Sequence, residues 1–208
     1  LMHRNGMGYL ETDDRSINRD VVIKQHNLND AKKFDVVRCQ IVNYSFKGKI
    51  EAKVTDILGN KNDAGVDILS KILKYNVDPL FSDEVIKEAE QFKSLKVTDY
   101  EGRTDLRGEK IITIDGDDSK DFDDAVIVKH LDNGNYHLGV SIADVSHYVT
   151  KGSLLDKEAY TRGTSIYMPG RVVPMLPFNL SNHLCSLVPN EDRLTISYDM
   201  EISPKGKV

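Results

Sequence analysis

The sequence predicts an α+β protein in which a small β-barrel precedes a region of mixed α/β character. Between residues 8 and 57, four short apolar stretches of strand type are separated by polar turn residues. The last of these, 49–57, alternates apolar and polar residues, as a half-buried strand does. Several short strands within about 50 residues are typical of a closed barrel of the OB-fold or cold-shock type.

The elements predicted after the barrel are helices and longer strands. Ser82 can cap a helix whose face carries Val85, Ala89 and Phe92, and a polar linker is expected over 96–109. An apolar strand is predicted over 110–114. Asn-Gly at 133–134, between apolar runs at 125–130 and 136–142, predicts a hairpin. A helix bounded by Ser153 and Gly163 and a strand over 194–202 follow from their capping residues and alternation.

We expect three parts along the chain: the barrel at 1–62, a connecting segment with a helix at 63–102, and a second domain at 103–208. No apolar run reaches the roughly 18 residues of a membrane span, so no membrane partner is expected. Cys39 and Cys185 lack metal-type spacing and fit a reducing compartment. The sequence therefore favours a cytoplasmic location, with no obligate protein partner evident.

Six aspartates are crowded into the ten residues 115–124. Two carboxylates at about 4 Å repel each other by about 1 kcal/mol even in bulk water, so a compensating cation is expected. Hard divalent cations such as Mg²⁺, Mn²⁺ and Ca²⁺ prefer oxygen ligands. The net charge of -5 does not exclude a polyanionic substrate, because bound cations would offset much of it.

Three interpretations of this acidic segment were compared. A calcium EF-hand loop fails, because its sixth and twelfth positions would be Lys120 and Val126 rather than Gly and Glu. A solvated turn accounts for Asp117 and Asp118 but fits 121–124 poorly, because that segment lies between two apolar strands. The arrangement suits two-metal phosphoryl transfer, in which paired ions clamp the attacking and leaving oxygens, but composition alone supports a divalent-metal site more strongly than a nuclease.

The segment 113–125, Thr-Ile-Asp-Gly-Asp-Asp-Ser-Lys-Asp-Phe-Asp-Asp-Ala, closely resembles the catalytic signature of the ribonuclease II/ribonuclease R (RNB) exoribonuclease family. Asp115-Gly116, Phe122 and 162–165 resemble the bacterial ribonuclease R branch more than ribonuclease II. The resemblance extends over nearly the whole chain and includes the segments 6–9, 65–69, 103–107, 141–146, 156–159, 162–165, 173–177 and 180–187.

This resemblance implies a processive 3′-to-5′ exoribonuclease that uses Mg²⁺, with Mn²⁺ as a possible substitute, and releases nucleoside 5′-monophosphates. It implies that the region 103–208 is the first, mixed α/β portion of an RNB-type catalytic domain. The implied catalytic residues and metal ligands are Asp115, Asp121, Asp123 and Asp124. Asp117 and Asp118 fall where the family varies.

The implied partner is the 3′ end of single-stranded RNA, and the resemblance places Tyr167 against the terminal nucleotide, where an aromatic ring can stack on any base. His147 and Arg171 could approach the site, but the favoured interpretations are a structural histidine and a solvated surface arginine. In the barrel, the side chains that could form an RNA-binding face, or equally an ordinary core or rim, are Tyr9, Tyr44, Phe46 and Lys47.

Whole enzymes of this family continue well beyond the segments matched here. The expectation is therefore a fragment with its carboxylate site intact that is inactive or nearly so alone. A non-catalytic RNA-binding module with a vestigial acidic site remains the alternative, and a metal-binding domain acting on another phosphoester would apply only if the resemblance were misleading.

Overall fold

The computed structural model describes residues 1–4, 6–14, 16–44 and 48–208, with the backbone alone at 3 and 4. The described residues separate into two compact units. The first unit contains Leu1–Pro79 and Met168–Gly170, and the second contains Leu80–Tyr167 and Arg171–Val208.

In the first unit, the described residues form a five-stranded sheet in the order β1-β2-β3-β5-β4. The strands are β1 (Met2–Arg4), β2 (Met7–Leu10), β3 (Val21–Ile23), β4 (Asp35–Tyr44) and β5 (Ile50–Asn60). Neighbouring strands are antiparallel except for β3 and β5, which pair in parallel. The core of this unit contains Val21, Ile23, Leu28, Ala31, Ile50, Ala52 and Val54.

The segment that follows the sheet contains a helix that the sequence did not predict. Helix α1 (Val66–Lys74) begins after Gly65, whose φ of 83° lies in the left-handed region that favours glycine. Val66 and Ile72 are its buried residues. The signal was present as apolar residues at helical spacing, but it lacks a Ser, Thr, Asp or Asn cap.

The second unit begins with α2 (Asp83–Ala89), whose predicted cap is confirmed by a 3.4 Å hydrogen bond from the Val85 N–H to Ser82 Oγ. Three of its strands, β6 (Asp124–His130), β7 (Tyr136–Ala143) and β10 (Thr195–Ile202), form an antiparallel sheet in the order β10-β7-β6. The predicted hairpin is confirmed, with Gly134 at φ 83° in its turn.

The predicted helix after Ser153 is confirmed as α3 (Leu154–Arg162). Ser153 Oγ accepts from the Asp156 N–H at 3.0 Å, while the Asp156 carboxylate accepts from the Gly152 N–H at 2.8 Å. Two short strands, β8 (Ile166–Met168) and β9 (Arg171–Val173), and a π-helical turn at Leu180–Leu184 follow. The core of this unit contains Val85, Ala89, Ala143, Tyr148, Leu155, Leu176, Leu180, Leu184 and Cys185.

The predicted strand at 110–114 is wrong. Within the described chain, that stretch makes a single bridge, in which Ile112 pairs with Val126. Ile112 and Ile114 are 58% and 78% exposed, so the apolar residues that suggested a buried strand are not buried in it. The predicted linker over 96–109 also contains a short 3-10 helix at Val97–Tyr100.

None of the helices in the described ranges is both long enough and apolar enough to span a membrane.

Candidate functional site

The acidic segment forms a loop between the Ile112 bridge and the first residue of β6, Asp124. A hydrogen bond of 3.0 Å from the Ser119 N–H to the Gly116 carbonyl closes a turn. Asp117 and Asp118 occupy its two central positions and are exposed. Their placement matches the solvated turn expected for these two residues.

The second half of the loop is fixed by hydrogen bonds to a different part of the chain. The Phe122 N–H donates to Ser186 Oγ at 3.0 Å, and Ser186 Oγ donates to the Lys120 carbonyl at 2.9 Å. The Leu187 N–H donates to the Phe122 carbonyl at 2.9 Å, and the Ala143 N–H donates to the Asp123 carbonyl at 3.0 Å. The backbone on both sides of Asp121 and at Asp123 is therefore held in place.

Ser186 was not singled out by the sequence analysis. It lies in the segment 180–187, between apolar residues, and is 0% exposed. A buried hydroxyl needs hydrogen-bond partners. A serine between two apolar residues was therefore a signal that its hydroxyl bonds to another part of the protein. The sequence could not show that its partner would be the acidic loop, 64 to 66 residues away along the chain.

The predicted aspartates form one electrostatic group around Asp123. Reduced hydration, followed by repulsion from Asp121, Asp124 and Asp115, raises the pKa of Asp123 above its ordinary value. The carboxylate is nevertheless accessible at the surface. All four predicted site residues therefore contribute to a concentration of negative charge that solvent and ions can reach.

Tyr167 also lies at this group. Its hydroxyl, on β8, donates a hydrogen bond to Asp121 Oδ2. That hydrogen bond, with burial and the charges of Asp121 and Asp123, raises the pKa of Tyr167 to about 12. The structure therefore places Tyr167, the aromatic residue expected at the terminal nucleotide, in contact with Asp121, one of the four expected metal ligands.

The chemistry of these donors suits a hard divalent cation, because carboxylate oxygens are the ligands that such ions prefer. After reduced hydration, repulsion from Asp121, Asp124 and Asp115 is the further cause of the raised pKa of Asp123, and a bound cation would offset that repulsion. As the side chains stand, no group of three or more His, Cys, Asp or Glu among the described residues is placed to hold a metal ion. The carboxylate donors fit a hard divalent cation, but the described residues do not form a preorganised coordination site.

Among the described residues, no hydrogen bond or ion pair joins the remaining candidates to the four predicted site aspartates. His147 Nε2 is 3.7 Å from Asp99 Oδ1, and its ring packs edge-on against Tyr148, which fits a structural role. Arg171 is half-buried on β9. In the first unit, Tyr44 on β4 is exposed and Tyr9 on β2 is half-buried, while Phe46 and Lys47 lie outside the described residues.

Comparison with known families identifies the larger part of the chain. The family model for the RNB domain matches residues 103–208. The chain belongs to the RNB family. A second family model, for the cold shock domain, matches residues 9–82. The expected fold class, a cold-shock barrel followed by part of an RNB domain, is confirmed.

Sequence relatives of this RNB chain carry the name ribonuclease R. The protein so named from Thermotoga maritima is 48% identical over 210 residues, which cover 99% of this chain and 30% of that protein. Ribonuclease R 2 from Lactococcus lactis is 49% identical over 203 residues, covering 97% and 30%. The chain thus spans about a third of the length of these relatives.

Solved structures agree with this assignment. Mycoplasma genitalium RNase R in complex with double-stranded RNA matches with a TM-score of 0.84 and 31% identity, covering 91% of this chain and 34% of that one. The same protein with ribose methylated single-stranded RNA gives 0.85 and 28%, covering 97% and 33%. Yeast Ssd1, a pseudonuclease, shares the fold with a TM-score of 0.69 and 19% identity, covering 98% and 27%.

Proposed function

We propose that this chain carries the catalytic aspartates of a processive 3′-to-5′ exoribonuclease that releases nucleoside 5′-monophosphates from single-stranded RNA. The observation that carries the proposal is the group around Asp123, in which Asp115, Asp121 and Asp124 all act on one carboxylate. This group lies in a chain of the RNB family, whose similar relatives are named ribonuclease R. Negative charge concentrated at one accessible point favours metal-assisted cleavage of a phosphodiester.

In this proposal, Asp115, Asp121, Asp123 and Asp124 hold one or two Mg²⁺ ions, with Mn²⁺ as a substitute. Bound divalent ions lower the pKa of an attacking water and stabilise the leaving oxygen. The carboxylates supply the oxygen ligands, and the hydrogen bonds to Phe122 and Asp123 fix the backbone that carries them. Reduced hydration and then repulsion from neighbouring carboxylates raise the pKa of Asp123, and binding a cation relieves the repulsion.

Tyr167 contributes to substrate binding in this proposal. The residue is 63% exposed while its hydroxyl is bonded to Asp121, so part of the side chain beside that carboxylate is open to a base. Stacking on an aromatic ring does not distinguish the bases, which suits degradation of any sequence. The partner is the 3′ end of single-stranded RNA, in the cytoplasm, without a membrane or an obligate protein partner.

The decisive experiment places these 208 residues in Thermotoga maritima ribonuclease R in place of the segment that they match. The hybrid is mixed with 5′-labelled single-stranded RNA in Mg²⁺ or in EDTA. We expect shortening from the 3′ end to a small end product in Mg²⁺ and none in EDTA. The same hybrid with Asp123→Asn should lose about 100-fold or more in rate while it still binds RNA, because metal ligation depends on that carboxylate.

Asp117→Asn is the matched control, since Asp117 lies on the exposed turn of the same loop. It should leave the rate within about twofold of the parent hybrid. Equal hydrolysis by the parent hybrid and its Asp123→Asn form would disprove the assignment of this site.

A second candidate function is a non-catalytic RNA-binding module. Two observations favour it: the fold also occurs in a pseudonuclease, and no group of carboxylates in the described chain is arranged to hold a metal as it stands. A hybrid that binds RNA but hydrolyses none, with or without Mg²⁺, would support this function instead. We expect the 208-residue chain by itself to hydrolyse little or no RNA, and processive degradation by it would contradict that expectation.

A further inference from the structure

Ser186 is the side chain that joins the acidic loop to the rest of the second unit. Its hydroxyl accepts from the Phe122 N–H and donates to the Lys120 carbonyl, at 3.0 and 2.9 Å. These two backbone groups lie on either side of Asp121. One hydroxyl therefore satisfies a donor and an acceptor that flank a proposed metal ligand.

The Ser186 hydroxyl supplies hydrogen bonds to the loop backbone, as strand pairing does for other backbone segments of the unit. Asp124 and the residues after it are aligned by the β6–β7 ladder, whereas 113–123 lies outside the strands that the structure describes. Polar backbone groups need partners when they lose water, and Ser186 is completely shielded from solvent. The Leu187 N–H adds a 2.9 Å bond to the Phe122 carbonyl, so two consecutive residues hold the loop.

Ser186 is itself held in place by Arg193. Arg193 Nε donates to the carbonyls of both His183 and Ser186, at 2.9 Å each. The arginine side chain is only 12% exposed, so solvent competes weakly for these bonds. Leu180 and Leu184, at the two ends of the π-helical turn that precedes Ser186, are buried in the core of this unit. The position of Ser186 is thus fixed both by the Arg193 guanidinium and by the packing of Leu180 and Leu184.

We infer that Ser186 is a positioning residue: through Lys120 and Phe122 it sets where the carboxylates of Asp121 and Asp123 stand, and Arg193 holds it there. This inference rests on the proposed function, because only then do those positions matter for hydrolysis. Ser186 touches no substrate in this scheme and acts through the loop backbone alone.

The first test measures the loop directly, without metal or RNA. Ser186→Ala removes the acceptor of the Phe122 N–H, so amide hydrogen exchange at Phe122, followed by NMR in the 208-residue chain, should become about tenfold faster. Tenfold corresponds to about 1.4 kcal/mol, the size of one typical hydrogen bond. The Val126 amide, which donates to the Ile112 carbonyl at 2.8 Å, should exchange as before.

Ser141→Ala is the matched control. Ser141 is 5% exposed and its Oγ lies 2.8 Å from Ser197 Oγ, so the substitution also removes a hydrogen bond made by a buried serine hydroxyl. Ile142 pairs with Asp124, so the side chain of Ser141 points to the opposite face of the sheet from that of Asp124. Exchange at Phe122 should not change in this control.

Arg193→Lys is a second variant that decides the matter if Ser186→Ala does not fold. A lysine ammonium lacks the rigid fork that places Nε between two carbonyls. We expect faster exchange at Phe122, by a smaller factor than for Ser186→Ala. Unchanged exchange at Phe122 in the folded variants would contradict the inference that Ser186 holds the loop.

The second test uses the hybrid ribonuclease R. Ser186→Ala should lower kcat about tenfold or more with KM for RNA nearly unchanged, because the carboxylates move while the RNA contacts remain. Ser141→Ala should leave both within about twofold. An unchanged kcat, with exchange at Phe122 accelerated, would overturn the positioning role. If the parent hybrid hydrolyses no RNA, the proposed function fails, and exchange at Phe122 alone then decides whether Ser186 holds the loop.

Discussion

The hydroxyl of Tyr167 donates a hydrogen bond to the carboxylate of Asp121, 46 residues earlier in the chain. Tyr167 as a residue is 63% exposed, although its hydroxyl is bonded to Asp121. One residue therefore carries two separable features, a ring face that can stack and a donor that orients a carboxylate. Tyr167→Phe removes the donor alone and Tyr167→Ala removes both features, so comparing the two variants separates them.

Removing the ring of Tyr167 should weaken RNA binding, and removing its hydroxyl should not. Tyr167→Ala in the hybrid ribonuclease R should lose about 1–3 kcal/mol of affinity for single-stranded RNA, the usual value of stacking on one base. Tyr167→Phe keeps the ring and should bind within about twofold of the parent. Affinity is measured in EDTA by fluorescence anisotropy. Equal losses in both variants would show that the hydroxyl, not stacking, contributes the affinity.

Tyr167 should ionise only at an unusually high pH. Its pKa is raised to about 12, first by the hydrogen bond to Asp121. A raised pKa means that this bond stabilises the folded chain fully below about pH 10, and that the contribution is lost as pH rises through 12. The phenolate absorbance of the parent minus that of Tyr167→Phe isolates this titration. In Asp121→Asn the pKa should fall back towards 10, and an unaltered titration there would rule out Asp121 as the cause.

Features that depend on neighbouring residues were predicted well from the sequence. The caps at Ser82 and Ser153 and the Asn-Gly hairpin depend on a few adjacent residues, and the structure confirms them. The four aspartates were found together because they lie within ten residues of one another. These signals are local, so they survive without knowledge of the fold.

Features that depend on distant contacts were missed. Whether 110–114 is a strand depends on a partner along its whole length, and the structure provides one only at Val126 within the described residues. The roles of Ser186 and Arg193 follow from contacts with Lys120, Phe122 and the turn at 183–186. No periodicity or short motif reports such contacts, because they are set by how the unit packs.

Asp123 should destabilise the metal-free chain at neutral pH. Burial and then repulsion from Asp121, Asp124 and Asp115 raise its pKa, so folding favours the protonated form, and this contribution is lost as pH rises through the raised pKa. In EDTA at pH 7, Asp123→Asn should therefore raise Tm, by about 1–2 °C because solvent screens an accessible carboxylate. At pH 3 the difference should disappear.

The same pair of proteins also tests for bound metal. Mg²⁺ should raise the Tm of the parent chain, because a ligand that binds only the folded state stabilises it, and it should raise that of Asp123→Asn much less. Differential scanning calorimetry measures both effects, with Asp117→Asn as the control that behaves like the parent. A lower Tm for Asp123→Asn at pH 7 in EDTA would contradict this account of the charge.

Asp144 and Arg103 form an ion pair that should stabilise the second unit. Arg103 donates to Asp144 Oδ2 at 2.7 Å and Ser146 Oγ donates to Oδ1 at 2.7 Å, with the Asp144 side chain only 7% exposed. Burial alone would raise the pKa of Asp144, but the bonds from Ser146 and Arg103 outweigh it and lower the pKa. Asp144→Asn should therefore cost about 2 kcal/mol at pH 7, the value of a hydrogen bond to a charged group.

The stability difference between the parent and Asp144→Asn should depend on pH in a defined direction. A lowered pKa means that the stabilisation is present above the ordinary value of an aspartate and is lost as pH falls through the lowered pKa. Thermal unfolding should show a difference between parent and Asp144→Asn at pH 7 that shrinks towards pH 2. Asp105→Asn is the matched control, because Asp105 pairs with Arg107 at the same 2.7 Å but both side chains are exposed, and an exposed pair contributes little. If the two variants lost equal stability at pH 7, the shielding of Asp144 would not be what gives its ion pair its strength.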